Sequence, residues 1–159
     1  MSLKNLNGAF MNLLITELLN KNEWVGINSI VFPDGKLILL EIRFYNNNGF
    51  YISPVLDSKI ESYLNYRPDF LTKFDVFAKK NFNNLEVLVG DGSGEGEGFI
   101  YVINSDKNQL CWFAFFDNGG PFHKVNVDEK GVINAISESG VIWEMEISDP
   151  LKINLIYPK

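Results

Sequence analysis

The chain holds one cysteine, Cys111, and one histidine, His123, in 159 residues. A single cysteine rules out an intramolecular disulfide and a cysteine-based metal cluster. Cys111 sits between Leu110 and Trp112 on an apolar stretch and reads as a small buried hydrophobe, because a reactive thiol needs an exposed, electropositive setting. Any histidine-based triad would depend on His123 alone. Its place just after Pro121 and Phe122, at the start of a strand, suits a surface or half-buried structural role. Positive charge is scarce as well: 14 Lys and Arg stand against 20 Asp and Glu, for a net charge of -6. Binding to nucleic acid or to an anionic membrane draws on basic residues that meet phosphate, so neither is expected; a basic protein is a suitable partner. Residues 1–20 lack a long apolar core behind a basic start, and no apolar run is long enough to cross a bilayer. The expectation is a cytoplasmic protein without membrane contact.

What the chain does have is bulk for a core. Hydrophobic residues make up 46% and aromatics 14%, with 13 phenylalanines. The length suits a single domain over residues 1–159. Leu6, Phe10, Leu13, Leu14 and Leu18 share a helical face, which predicts a helix over about residues 6–20 with Asn5 or Asn7 as its cap. Trp24 follows as a core anchor. Residues 26–53 read as three strands, with turns at Pro33-Asp34-Gly35 and at Asn46 to Gly49. Residues 57–80 take helical spacing: Ser58 and Glu61 fit a capping box, Pro68 divides two helices, and Phe70, Phe74 and Phe77 recur at i, i+4 and i+7. A mid-chain helical hairpin is expected there. From Leu85 the period is two, with strands expected over 85–89, 98–104, 110–116, 122–127, 131–137, 141–147 and 151–157. The strands 98–104 and 110–116 are apolar on both faces and belong at the centre of a sheet, covered on both sides. Short connections make the sheet largely antiparallel. The fold class is therefore α+β: an antiparallel multi-stranded sheet with an N-terminal helix and the helical hairpin packed on it.

The most conspicuous stretch runs from Gly90 to Gly98, with glycine at every second position and Asp91, Ser93, Glu95 and Glu97 between. A phosphate loop needs a lysine, and none lies between Lys80 and Lys107. A dinucleotide fingerprint through Gly92 and Gly94 would need glycine at the position of Glu97. Asp91, Ser93 and Glu95 imitate the first ligands of a calcium loop, but the twelfth position is Val102 rather than glutamate. Acid–base catalysis needs a rigid, partly desolvated carboxylate pair, which alternate glycines disfavour. No metal, cofactor or catalytic residue is assigned, and the chain is read as a non-enzyme. From Glu86 to Glu97 every charged residue is acidic, and such a loop can steer a basic partner.

The run Gly90 to Val102, followed by Trp112-Phe113-Ala114-Phe115-Phe116-Asp117-Asn118-Gly119-Gly120-Pro121-Phe122, resembles a pattern in small bacterial immunity proteins that accompany polymorphic or contact-dependent toxins. The pattern is a glycine and acid loop, a Gly-Phe-Ile strand, and a Trp-containing strand ending in Phe-Phe before a short Pro-Phe turn. It covers about a fifth of the chain, and Gly119-Gly120 departs from its polar turn. The resemblance implies an acidic, cytosolic protein that binds a cognate toxin domain and neutralises it. On that reading Asp91, Glu95 and Glu97 are candidate partner contacts, and Asn118, Gly120 and Pro121 shape the neighbouring turn. The alternative is a small-molecule-binding or enzymatic α+β domain whose pocket is lined by Trp24, Trp112, Trp143 and the Phe70, Phe74, Phe77 row. A third reading has exposed strand edges forming a dimer.

Overall fold

The computed structural model describes residues 12–159. Helix α1, Leu13–Asn20, is capped by Asn12, whose Oδ1 accepts a hydrogen bond from the Leu14 N–H at 2.8 Å. It buries Ile15 and Leu18 and leaves Leu13 68% exposed. The buried stripe thus includes Ile15 and excludes Leu13. The earlier part of the expected helix, with Leu6, Phe10 and the caps Asn5 and Asn7, lies outside the described residues.

Strands β1 (Glu23–Val25), β2 (Ser29–Val31), β3 (Lys36–Phe44) and β4 (Phe50–Lys59) come next, then helix α2 (Ile60–Tyr66) and a 3-10 turn over Pro68–Phe70. The rest is strand: β5 (Leu71–Phe82), β6 (Leu85–Gly92), β7 (Gly98–Asn104), β8 (Gln109–Phe116), β9 (Phe122–Val127), β10 (Val132–Ser137), β11 (Ile142–Glu146) and β12 (Asp149–Ile156). They form an eight-stranded sheet in the order β1-β5-β6-β7-β8-β2-β3-β4 and a four-stranded sheet in the order β12-β11-β10-β9. Every pairing is antiparallel. The α+β class stands, with the strands divided between two sheets.

The large sheet is the middle of three layers. On one face, Val31, Leu37, Leu88, Phe99, Phe113 and Phe115 pack with Ile15 and Leu18 of α1 and with Ile60 and Leu64 of α2. On the other, Ile30, Ile38, Val89, Ile100, Ala114 and Phe116 meet Val125, Ile133, Ala135, Trp143 and Met145 of the small sheet. Strands β7 and β8 sit mid-sheet with both faces covered, which is why Phe99–Ile103 and Leu110–Phe116 are apolar on both faces instead of alternating. Aromatic stacking stiffens the helix-side core. Phe113 lies against Trp24 at 4.1 Å and against Tyr101 at 4.8 Å. Each such contact is worth about 1 kcal/mol beyond the area it buries. Burial pushes the Tyr101 phenol up to about 12. Across the other core, Trp112 Nε1 donates to the Ile147 carbonyl at 2.8 Å and ties the sheets together. Cys111 is half-buried against this core, and burial raises its thiol pKa.

The helical hairpin expected over 57–80 is not formed. Ser58 is the next-to-last residue of β4, and the residue before α2 is Lys59, which makes no side-chain cap. Glu61 instead accepts a hydrogen bond from Asn12 Nδ2, tying the start of α2 to the start of α1. After α2 the chain extends into β5, which pairs with both β1 and β6. Phe70 lies in the 3-10 turn before the strand, and within β5 a bulge leaves Phe77 as the extra residue: Val76 pairs with Gly90 and Ala78 with Val89. A bulge shifts the alternation of faces. Phe74 lies in the helix-side core and Ala78, four residues on, packs against the other core, while Phe77, an odd number of residues from Phe74, is 44% exposed. Pairing with distant strands outweighs a local period that fits either structure. Among the described residues, no helix is long and apolar enough to cross a membrane.

Candidate functional site

The end of the sandwich where β6 leads into β7 and β8 into β9 gathers the residues singled out from the sequence. The glycines there make room for backbone. A Cβ on Gly90 would overlap the carbonyl oxygen of Asp75, where β5 bulges over it. A Cβ on Gly120 would lie 2.6 Å from the Glu97 carbonyl oxygen and 2.6 Å from Gly98 Cα, closer than real side chains come. The Gly120 N–H donates to the Gly96 carbonyl at 2.9 Å. Segments 93–97 and 117–121 are therefore docked on each other, and the alternate glycines serve close packing where the sequence suggested looseness.

The predicted contacts fall into three settings. Glu95 is exposed at the tip of its turn. Glu97 folds back, its Oε1 accepting from the Gly94 N–H at 2.7 Å and from Thr72 Oγ1 at 3.4 Å, so it braces the turn. Asp91 lies within β6, half-buried and directly opposite Asp75 of β5. Like charges so placed repel each other. Desolvation raises the Asp91 pKa above its ordinary value, and Asp75 and then Glu97 push the same way against the opposing influence of His123. Asn118 is exposed, and Pro121, joined to Gly120 by a cis bond, precedes β9. The Asp117 N–H donates to Asn28 Oδ1 at 2.7 Å, which fixes the start of that segment.

A second bulge completes the corner. Ile136 pairs with Lys124 and Ser137 with Phe122, which leaves His123 as the extra residue of β9. Its ring stacks on Phe77 at 5.3 Å with an 11° interplanar angle. The two bulged residues, one from each sheet, thus lie flat against each other beside Asp75 and Asp91. Sequence reasoning missed Asp75, because β5 was read as helix, and gave no weight to Asp117. A signal was present in the match of an acid two residues before Phe77 with the acid after Gly90, but it needs the register of β5 to be seen.

Asp75, Glu95 and Asp117 have no side-chain hydrogen bond or ion pair among the described residues, and Asp91 has no ion pair. The ion pairs lie elsewhere, as in Glu17–Lys21 at 2.9 Å, Asp69–Arg67 at 3.1 Å and Asp57–Lys36 at 3.5 Å. Among the described residues no group of three or more His, Cys, Asp or Glu is placed to hold a metal ion. The residues expected to line a pocket are mostly core: Trp24, Trp112, Trp143 and Phe74 are at most 3% exposed. Beside the acidic corner, a cleft of 220 Å³ opens between the sheets, lined by Phe44, Asn118, Gly119, Ser139, Val141, Trp143, Leu155 and Tyr157.

No family model, curated protein or solved structure matches this chain. Its function is therefore read from the geometry together with the resemblance of residues 90–122.

Proposed function

We propose that the chain is a binding protein of the immunity type, which uses its carboxylate-rich corner to capture and neutralise a basic toxin domain. The observation that carries this reading is the cluster of Asp75, Asp91, Glu95 and Asp117 on one end of the sandwich, without a lysine or arginine paired to any of them among the described residues. Such a field draws a positive partner in and orients it before contact. The carboxylates would occupy the lysines and arginines with which a nuclease-like toxin grips phosphate. Docked segments and paired strands hold the charges in place, so little ordering entropy is lost on binding. Acid–base chemistry is the second reading, favoured by the raised Asp91 carboxyl near His123. His123 is exposed and covered on one side by Phe77, a surface arrangement that suits a contact better than an enclosed reaction.

The first test is whether the adjacent reading frame encodes a large secreted protein with a C-terminal toxin domain, which the reading requires; the second is co-expression with that domain. The unmodified chain should restore growth. The variant Asp75→Asn, Asp91→Asn, Glu95→Gln, Asp117→Asn should associate more slowly with that domain, with a flattened salt dependence. Full protection with unchanged association kinetics would overturn the assignment.

A further inference from the structure

The 220 Å³ cleft shares its rim with the acidic corner. Asn118 and Gly119 line the cleft, while Asp117 and Gly120 on either side belong to the docked acidic segments. Among the described residues no charged side chain lines it. Its floor is fixed: Trp143 packs on Phe116 at 4.5 Å and on Phe122 at 5.6 Å, and a Cβ on Gly119 would run into the Trp143 ring. Phe44 stands edge-on to the same indole at 6.3 Å and is 39% exposed.

Size decides what such a cleft can take. Pockets for whole small molecules run from about 300 to 1,000 Å³. The 220 Å³ here equals about seven waters at ~30 Å³ each, the room of one large side chain. We propose that the partner of the acidic corner seats one large apolar side chain, flanked by lysine or arginine, in this cleft. The inference rests on the reading above and specifies the partner's chemistry: basic residues for Asp91, Glu95 and Asp117, and an apolar anchor for the wall formed by Phe44, Val141 and Trp143. Binding energy at protein interfaces concentrates in such preformed sockets, with a charged rim that selects and steers.

The test uses the full chain, isotope-labelled for NMR, and two synthetic peptides, Lys-Lys-Phe-Lys-Lys and Lys-Lys-Ala-Lys-Lys. At about 20 mM salt, where surface charges are weakly screened, both should bind. The phenylalanine peptide should bind about tenfold more tightly, as burial of a large apolar side chain implies. Its extra shifts should fall on Asn118, Gly119 and Val141. Ser139→Phe, which fills the cleft from its exposed rim, should abolish the difference and keep the salt-sensitive binding. Equal affinity of the two peptides, or a phenylalanine advantage that survives Ser139→Phe, would overturn the socket and leave the acidic reading standing. Failure of both peptides to bind would overturn the acidic reading and the socket with it.

Discussion

The two ends of the sandwich put their carboxylates to different use. At the end that holds the β2–β3 and β9–β10 turns, two acids build backbone, while Asp106 and Glu129 make no side-chain hydrogen bond or ion pair among the described residues. Asp128 Oδ1 accepts from the N–H groups of Lys130 at 2.8 Å and Val132 at 2.9 Å, and Asp34 Oδ1 accepts from the Lys36 N–H at 3.0 Å. These are ordinary turn contacts, in which a short acidic side chain replaces a missing backbone partner. At the opposite end, among the described residues, only Glu97 does comparable work. Asp75, Glu95 and Asp117 satisfy no backbone group, and Asp91 faces Asp75 in a half-buried setting. Charge without a local structural task, held on a rigid frame, is where a recognition surface is best sought.

The comparison breaks first at the glycines. Gly90→Ala should lower unfolding free energy by about 3 kcal/mol, since the added carbon meets backbone that cannot move aside without undoing the bulge. Gly131→Ala, in the β9–β10 turn at the other end, is the control: its φ is +81°, but its nearest neighbour would be Phe82 at 3.5 Å. There only the left-handed conformation is penalised, at about 1 kcal/mol. Denaturant midpoints for the two variants measure the difference; equal losses would mean that the acidic end is not closely packed.

Asp128→Ala should cost about 1–2 kcal/mol, because two backbone N–H groups lose their acceptor in a single step. Chemical unfolding checks it, and an unchanged midpoint would remove the contrast between the ends.

A smaller effect sharpens the acidic side. The Asp91 pKa is raised in the fold, so the protonated form is the one the fold favours. Asp91 therefore contributes stability below its unfolded value and loses that contribution as pH rises through the raised folded value. Asp91→Asn should raise the melting temperature at pH 7 by a small amount, and the gain should vanish at pH values below the ordinary 3.8. Melting curves across pH read it directly. A basic partner brought to Asp91 would favour the ionised form, so partner affinity should fall as the solution is acidified through the raised value.

Much of the architecture was legible in the sequence, and the reasons are physical. Strands β7 and β8 announce themselves because covering both faces of a strand removes its polar alternation. Strands β11 and β12 alternate because only one face is buried: Trp143, Met145 and Leu155 go inward while Glu144 and Glu146 do not. The turns at Gly35, Gly131 and Gly140 show as glycines because the backbone there has positive φ. Strand β5 was illegible because Phe70, Phe74 and Phe77 stand at i, i+4 and i+7 although Phe70 belongs to the preceding 3-10 turn, and because the bulge at Phe77 interrupts the period of two. That misreading hid Asp75 and, with it, the carboxylate pair. The acidic stretch itself was visible, but the role of its glycines was not. Alternate glycines look like looseness along a chain, and only the approach of Gly90 to Asp75 and of Gly120 to Gly98 shows them as packing. His123 looked structural by position, and no local signal places it as the bulged residue stacked on Phe77.

The most direct test of the account is the unfolding free energy of the fourfold variant Asp75→Asn, Asp91→Asn, Glu95→Gln, Asp117→Asn at pH 7 and low salt. Carboxylates kept for a partner rather than for the fold predict a value equal to or above that of the unmodified chain, because repulsion is relieved and no backbone acceptor is lost. A loss as large as the about 1–2 kcal/mol expected of Asp128→Ala would show that these acids hold the fold together, and would contradict the account.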